Sequence, residues 1–263
     1  MSTAPSLINL FSPYNIVVFM LVMTRITGMF ISAPFFSSIN MPNMTKIWFC
    51  ALIAFIFYPL VVHSKSFIIP HGMPEFIILM LCEFFIGYVI GFMANLIIEA
   101  IRIAGNTLSI QMSLSIAEAL DPTSGTSTNM ISSLYIYLAL IIFIATGAHQ
   151  YLFTVIFNSF QAVPMGVFVP VDTNVVSAIV QLFSQLFKIA FGLALPIFSV
   201  LLICDILLGL MSKMMPQMNV YMVAIPIKIY IGLFLMLAFL SATNMFIQNI
   251  IKKYMETIMS VFT

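Results

Sequence analysis

Charge is what this chain lacks. Asp, Glu, Lys and Arg make up only 6% of its 263 residues, against roughly a quarter in an average soluble domain. A water-soluble fold needs a polar skin, and this composition cannot supply one. No basic tract exists, so nucleic acid is not expected as a partner. Cysteine is also scarce: Cys50, Cys82 and Cys204 lie far apart in apolar stretches. That is neither a metal spacing nor a disulfide framework, and buried inert thiols are the reading. Catalytic motifs are missing as well. There is no HExxH, no GxSxG and no phosphate-binding glycine loop, and no second His or Cys stands near His149. An enzyme, a metal site or a cofactor therefore has nothing to rest on. No internal repeat is visible, so the inverted-repeat signature of many transporters is missing.

What is there is apolar surface. Hydrophobic residues reach 62%, with 21 methionines and 26 phenylalanines, and the mean hydropathy is +1.16. The outer surface must then face membrane lipid or the apolar surfaces of partner subunits. The first charged side chain is Arg25. A cleavable signal peptide wants positive charge before its apolar core, so the first apolar segment is expected to be retained.

Six apolar runs follow one another: 14–31, 47–62, 76–98, 134–157, 175–210 and 218–251. Segments 63–74 and 163–174, with their Pro and Gly, read as loops. Backbone in hydrocarbon must bond internally, so the runs are predicted to be helices. The chain is expected to be all-α, an integral membrane protein of about six long hydrophobic helices. The last two runs exceed the ~20 residues that cross a bilayer. Continuous, each would reach about 50 Å. They read as a long C-terminal helical hairpin, turning at Lys213, Pro216, Gln217 and Asn219, with Pro196 and Pro226 as kink points. Lys and Arg divide evenly between the two sides of such a topology, so charge bias gives no orientation.

Between Arg102 and Met130 the character changes. Leu108, Ile110, Met112, Leu114 and Ile116 alternate with Ser109, Gln111, Ser113 and Ser115. Period two predicts an extended or irregular segment. A short helix up to Leu120 is stopped at Asp121-Pro122, and a Ser/Thr/Gly-rich loop follows. Two readings stand: a polar connecting loop, or a segment that lines or plugs a pore, since irregular backbone is tolerated where it lines a cavity.

Charges inside the runs need partners. Arg25 lies midway along the first run, where an arginine costs about 2.5–3.5 kcal/mol to insert. Glu83 and Asp205 are the acids available, and Lys188 also interrupts a run. Glu83, Gly87, Gly91, Asn95 and Glu99 recur at four-residue spacing along one helical ridge. Gly87 and Gly91 form a GxxxG step that lets another helix come close, in this chain or another. Gly209 is a further packing candidate in the fifth run. A stand-alone secondary transporter built around Arg25, Glu83 and Asp205 is the competing class.

Three stretches carry a resemblance to a known family. They are Arg25-Ile-Thr-Gly28 through Ala33-Pro34-Phe35, then Gly105 through Gln111-Met112-Ser113-Leu114-Ser115 to Asp121-Pro122, and a C-terminal set. That set is Asp205-Ile-Leu-Leu-Gly209-Leu-Met-Ser-Lys213, Pro216-Gln217-Met218-Asn219-Val220 and Pro226-Ile-Lys228. Along essentially its whole length the chain resembles the flagellar biosynthetic protein FliR family. That family supplies the R subunit of the flagellar type III export gate and has an injectisome counterpart. One departure is Gly147-Ala148 before His149, where the family usually has Asn-Gly.

The resemblance implies a non-enzymatic subunit that joins P and Q subunits in a helical core, with the B and A subunits at its base. Unfolded export substrates would pass through the gate. It implies a P-like region over 1–174 and a Q-like hairpin over 175–263. It places the gate in the inner membrane at the flagellar basal body, with its core raised towards the periplasm. It also implies a plug over about 105–128, carried over to Ser109, Ile110, Gln111, Met112, Ser113, Leu114, Ser115, Ile116, Asp121 and Pro122.

Overall fold

The computed structural model describes residues 13–34, 36, 42–62, 72–114, 129–165, 173–215, 217 and 220–261. Among these the chain is entirely helical. In order the helices are α1 (Pro13–Ser32), α2 (Asn43–Val62), α3 (Met73–Gln111), α4 (Met130–Ala145), α5 (Ala148–Ala162), α6 (Thr173–Met214), α7 (Val220–Ala238) and α8 (Leu240–Val261). Four helices, α1, α2, α3 and α6, are each long and apolar enough to cross a membrane. The number rises to six if α4 with α5, and α7 with α8, each count as one broken span. The chain is an all-α integral membrane protein.

Two compact units divide it. The first comprises residues 1–95, 147–182 and 254–263; the second comprises 96–146 and 183–253. In the first unit α1 packs along α2, and α2 touches α5. A buried ridge on α1, Val18, Leu21, Val22, Arg25, Ile26 and Met29, follows the three-and-four spacing of one helical face. An aromatic cluster joins the same three helices: Phe30 and Phe36 lie 4.0 Å apart by ring centroids, with Phe49 and Phe153 beside them.

The structure departs from the sequence expectation in three places. First, α3 does not end near Ile98. It runs unbroken for 39 residues to Gln111, so residues 105–111 are helix and not an extended segment. The buried hydrophobic residues there include Ile101, Ala104, Leu108 and Met112, spaced by three and four. Ile110, one of the alternating apolar residues, faces outward. The period-two alternation is superimposed on a helical stripe, and the stripe decides the structure. The helix stops at Ser113, whose φ of 62° is left-handed. There the Met112 N–H donates to the Leu108 carbonyl at 2.9 Å, and the Ser113 N–H to that of Ile110 at 3.0 Å. A left-handed residue just past the last turn is a common helix terminator.

Second, the fourth run is broken at Thr146-Gly147. Gly147 precedes α5 with φ 74°, a conformation that glycine adopts freely and asparagine tolerates better than most residues. Third, the last run bends by 60° at Phe239, while Pro226 sits inside α7. Backbone bonds carry through the bend: the Phe239 N–H donates to Leu235 and the Thr243 N–H to Phe239, both at 2.8 Å.

Candidate functional site

Two polar clusters join neighbouring helices, one in each unit. In the first unit Arg25 is 0% exposed and Glu83 3%. The Arg25 Nε donates to Glu83 Oε2 at 2.5 Å. Its Nη1 donates to Ser159 Oγ at 3.1 Å and its Nη2 to the Val163 carbonyl at 3.3 Å. The guanidinium carbon lies 4.1 Å from the centroid of the Phe160 ring. Ser159 in turn donates to the Ile156 carbonyl at 2.7 Å. One arginine thus ties α1 to α3 and to the end of α5. A guanidinium without water needs donors satisfied in several directions at once, and this set supplies them.

Small residues let α1 and α3 come close enough for that contact. A Cβ on Gly87 would run into the Arg25 carbonyl oxygen, and one on Gly91 into Ser32 Oγ. From the α1 side, a Cβ on Gly28 would meet the Phe84 carbonyl and stand 2.9 Å from the Tyr88 nitrogen. Ser32 Oγ donates to the Tyr88 carbonyl at 2.9 Å. The partner of the Gly87–Gly91 face is therefore α1 of the same chain, with Gly28 and Ser32 as its counterparts.

In the second unit the end of α3 is fastened to α6 and α7. Lys228 Nζ lies 2.7 Å from Asp205 Oδ1, and Gln111 Nε2 donates to Asp205 Oδ2 at 2.7 Å. Met112 is wholly buried and occupies the space that Gly232 leaves open: a Cβ on Gly232 would come within 2.6 Å of its Cγ and Cε. One turn separates Lys228 from Gly232, so both lie on one face of α7. Earlier on α3, Gly105 closes against Ser132 of α4, whose Cα would stand 2.6 Å from a Cβ there. Ser132 Oγ also donates to the Arg102 carbonyl at 3.2 Å.

The remaining sequence candidates are dispersed. Ser109 is buried, and its hydroxyl has no hydrogen-bond partner among the described residues. Ser113 is nearly buried, Leu114 is half-buried, and Ile110 is exposed. Ser115, Ile116, Asp121, Pro122, Pro216 and Asn219 lie outside the described residues. Asn95 is half-buried on α3, Lys213 is exposed in the last turn of α6, and Gln217 is exposed. Gly209 has open space around it, with nothing within 4 Å of a Cβ placed there.

Sequence reasoning missed four participants. Lys228 is a charge inside the sixth run, and the signal that singled out Arg25 applies equally to it. Gly232 carries no such signal. Ser159 and Val163 are ordinary in sequence, and only the fold brings them to Arg25.

Comparison with known proteins adds a separate line. The profile of bacterial export proteins, family 1, matches residues 16–254. The flagellar biosynthetic protein FliR of Bacillus subtilis is 29% identical over 241 residues, covering 91% of this chain and 92% of that protein. The FliR of Escherichia coli is 25% identical, covering 91% and 90%. That of Aquifex aeolicus is 24% identical, covering 86% of each. With the match running through both clusters and nearly end to end, the chain belongs to the bacterial export proteins, family 1, and within it to the FliR family of flagellar export components.

Proposed function

We propose that the chain is a non-enzymatic subunit of the flagellar type III export gate, and that it helps to form and seal the pore through which unfolded substrates pass. The observation that carries this reading is the way α3 ends. A 39-residue apolar helix stops at a left-handed serine, with its final side chains fixed on α6 and α7. The hydroxyl-rich stretch that follows therefore starts from a defined point within a helical membrane core. A plain surface connection needs no such fastening. The closing segment spans about 105–128, its first part being the end of α3.

The companions of the subunit are P and Q subunits beside it, and B and A subunits at its base. The far half of α6 and the start of α7 favour this. Ile203, Ile206, Leu210, Met214, Met222 and Ile227 are all exposed, an apolar surface that lipid or neighbouring helices must cover. The division into a P-like region (1–174) and a Q-like hairpin (175–263) is part of the same proposal. So is a position in the inner membrane with the core raised towards the periplasm. Against the transporter alternative, Arg25 and Glu83 are bonded to one another and buried.

Deletion of residues 110–124 tests the reading. Cells carrying the deletion should assemble the gate but leak ions or small solutes. Normal secretion with unchanged permeability would overturn the sealing role.

A further inference from the structure

We propose that the outer face of α2 is a lipid-contact surface, with Trp48 at the level of the lipid headgroups and Lys46 within reach of their phosphates. This contact stands independently of the sealing role.

The helix has two distinct sides. Cys50, Ile53, Ala54, Tyr58 and Val61 are buried, at the three-and-four spacing of one helical face. Within its unit α2 packs on α1 and touches α5. Met44, Trp48, Leu52, Phe55 and Pro59 are exposed, at the same spacing on the other side. A membrane helix that receives a second helix usually offers small residues, which let the backbones come close. The α1–α3 contact is made that way, through Gly28, Ser32, Gly87 and Gly91. In contrast α2 has no glycine, and its Ala54 is wholly buried against the chain itself. Its bulky side chains point outward, where fluid hydrocarbon accommodates them without a matching surface.

Polar residues of α2 are confined to its start. Asn43 and Thr45 are exposed. Lys46 has no carboxylate partner among the described residues. Trp48 follows at once, the one tryptophan of the chain, and it is 74% exposed. An indole pairs an apolar body with an N–H donor, so it settles where hydrocarbon meets water. A lysine beside it extends its charged end to a headgroup phosphate, which supplies the negative charge the chain does not. The length of the helix agrees. Residues 47–62 reach about 24 Å at 1.5 Å each, against a hydrocarbon core of about 30 Å. A helix so short crosses only with its start at the boundary.

The test uses the assembled gate in phosphatidylcholine vesicles whose acyl chains carry bromine, a contact quencher of indole fluorescence. The bromine sits either near the glycerol or near the chain end. Any tryptophan of a partner subunit is removed by subtraction: the Trp48 signal is the difference between the parent gate and Trp48→Phe. Bromine near the glycerol should quench that signal at least twice as strongly as bromine near the chain end. Phe55→Trp in the Trp48→Phe background moves the probe two turns along the same face, about 10 Å deeper, and the preference should reverse. Phe55 is 66% exposed, so an aromatic exchange there disturbs little. Absence of quenching at both positions would mean that protein covers the face, and would overturn the proposal. Equal or opposite depth preferences would overturn the place of Trp48 at the headgroups. A photoreactive residue at position 48, activated in native membranes, gives a second reading that needs no reconstitution. Adducts with phospholipid are expected there, and adducts with another subunit alone would overturn the lipid contact.

Discussion

Replacing Glu83 by leucine removes the only carboxylate, among the described residues, bonded to an arginine that has no exposed surface. The Arg25 guanidinium keeps the Ser159 hydroxyl, the Val163 carbonyl and the Phe160 ring. None of these carries the negative charge that offsets its lost hydration. Removing one member of a buried ion pair costs about 3–5 kcal/mol. At about 2–4 °C per kcal/mol for a chain of this size, the melting temperature should fall by about 6–20 °C. The companion variant Arg25→Met with Glu83→Leu removes both charges and keeps similar volume. Ser159 stays satisfied through Ile156, so the main residual defect is the Val163 carbonyl, worth about 1–3 kcal/mol. The double variant should therefore melt above the single one. The assay is thermal unfolding of the detergent-purified gate, followed by the temperature at which this subunit is lost. A single variant that melts like the parent would refute the reasoning. So would a double variant no better than the single one, since the cost would then not arise from an unpaired charge.

Other outcomes follow from the same contacts. Gly87→Leu with Gly91→Leu should separate α1 from α3 and abolish co-purification with the partner subunits; intact co-purification would contradict the close approach. In contrast Gly209→Ala meets nothing in the chain and should gain about 0.5–1 kcal/mol from helix preference alone, read as a small rise in melting temperature. Gly147→Val should lose about 1–2 kcal/mol because a β-branched residue is forced into the left-handed region, while Gly147→Asn should lose less. Gly232→Ala pushes a methyl group into Met112, a flexible neighbour, and should cost about 1–3 kcal/mol; a cost near zero would show that the Met112 seat is loose.

Much of the helical plan can be read from the sequence, because a bilayer leaves the backbone few choices. The six apolar runs correspond to α1, α2, α3, the α4–α5 pair, α6 and the α7–α8 pair. The need of Arg25 for a partner is equally readable. Which acid answers it is not, because Glu83 and Asp205 look alike in sequence and only packing separates them. The ridge at 83, 87, 91 and 95 shows a close-packing face, but nothing local names α1 as the helix that meets it. The end of α3 is misread for a physical reason. Leu108 and Met112 belong to a helical stripe that coincides with an alternating pattern, and over so few residues the two periods cannot be told apart. The bend at Phe239 is invisible for the opposite reason: it keeps its backbone bonds and involves neither proline nor glycine.

On the proposed reading, the end of α3 borders the path of the exported chain. Photo-crosslinking tests it most directly. A photoreactive residue is placed at Ile110 or at Tyr137, which are 63% and 66% exposed in the same unit, and an export substrate is arrested in transit through the gate. Crosslinks from position 110 to the arrested substrate, with none from position 137, are the predicted result. Crosslinks from 137 and none from 110 would contradict the account.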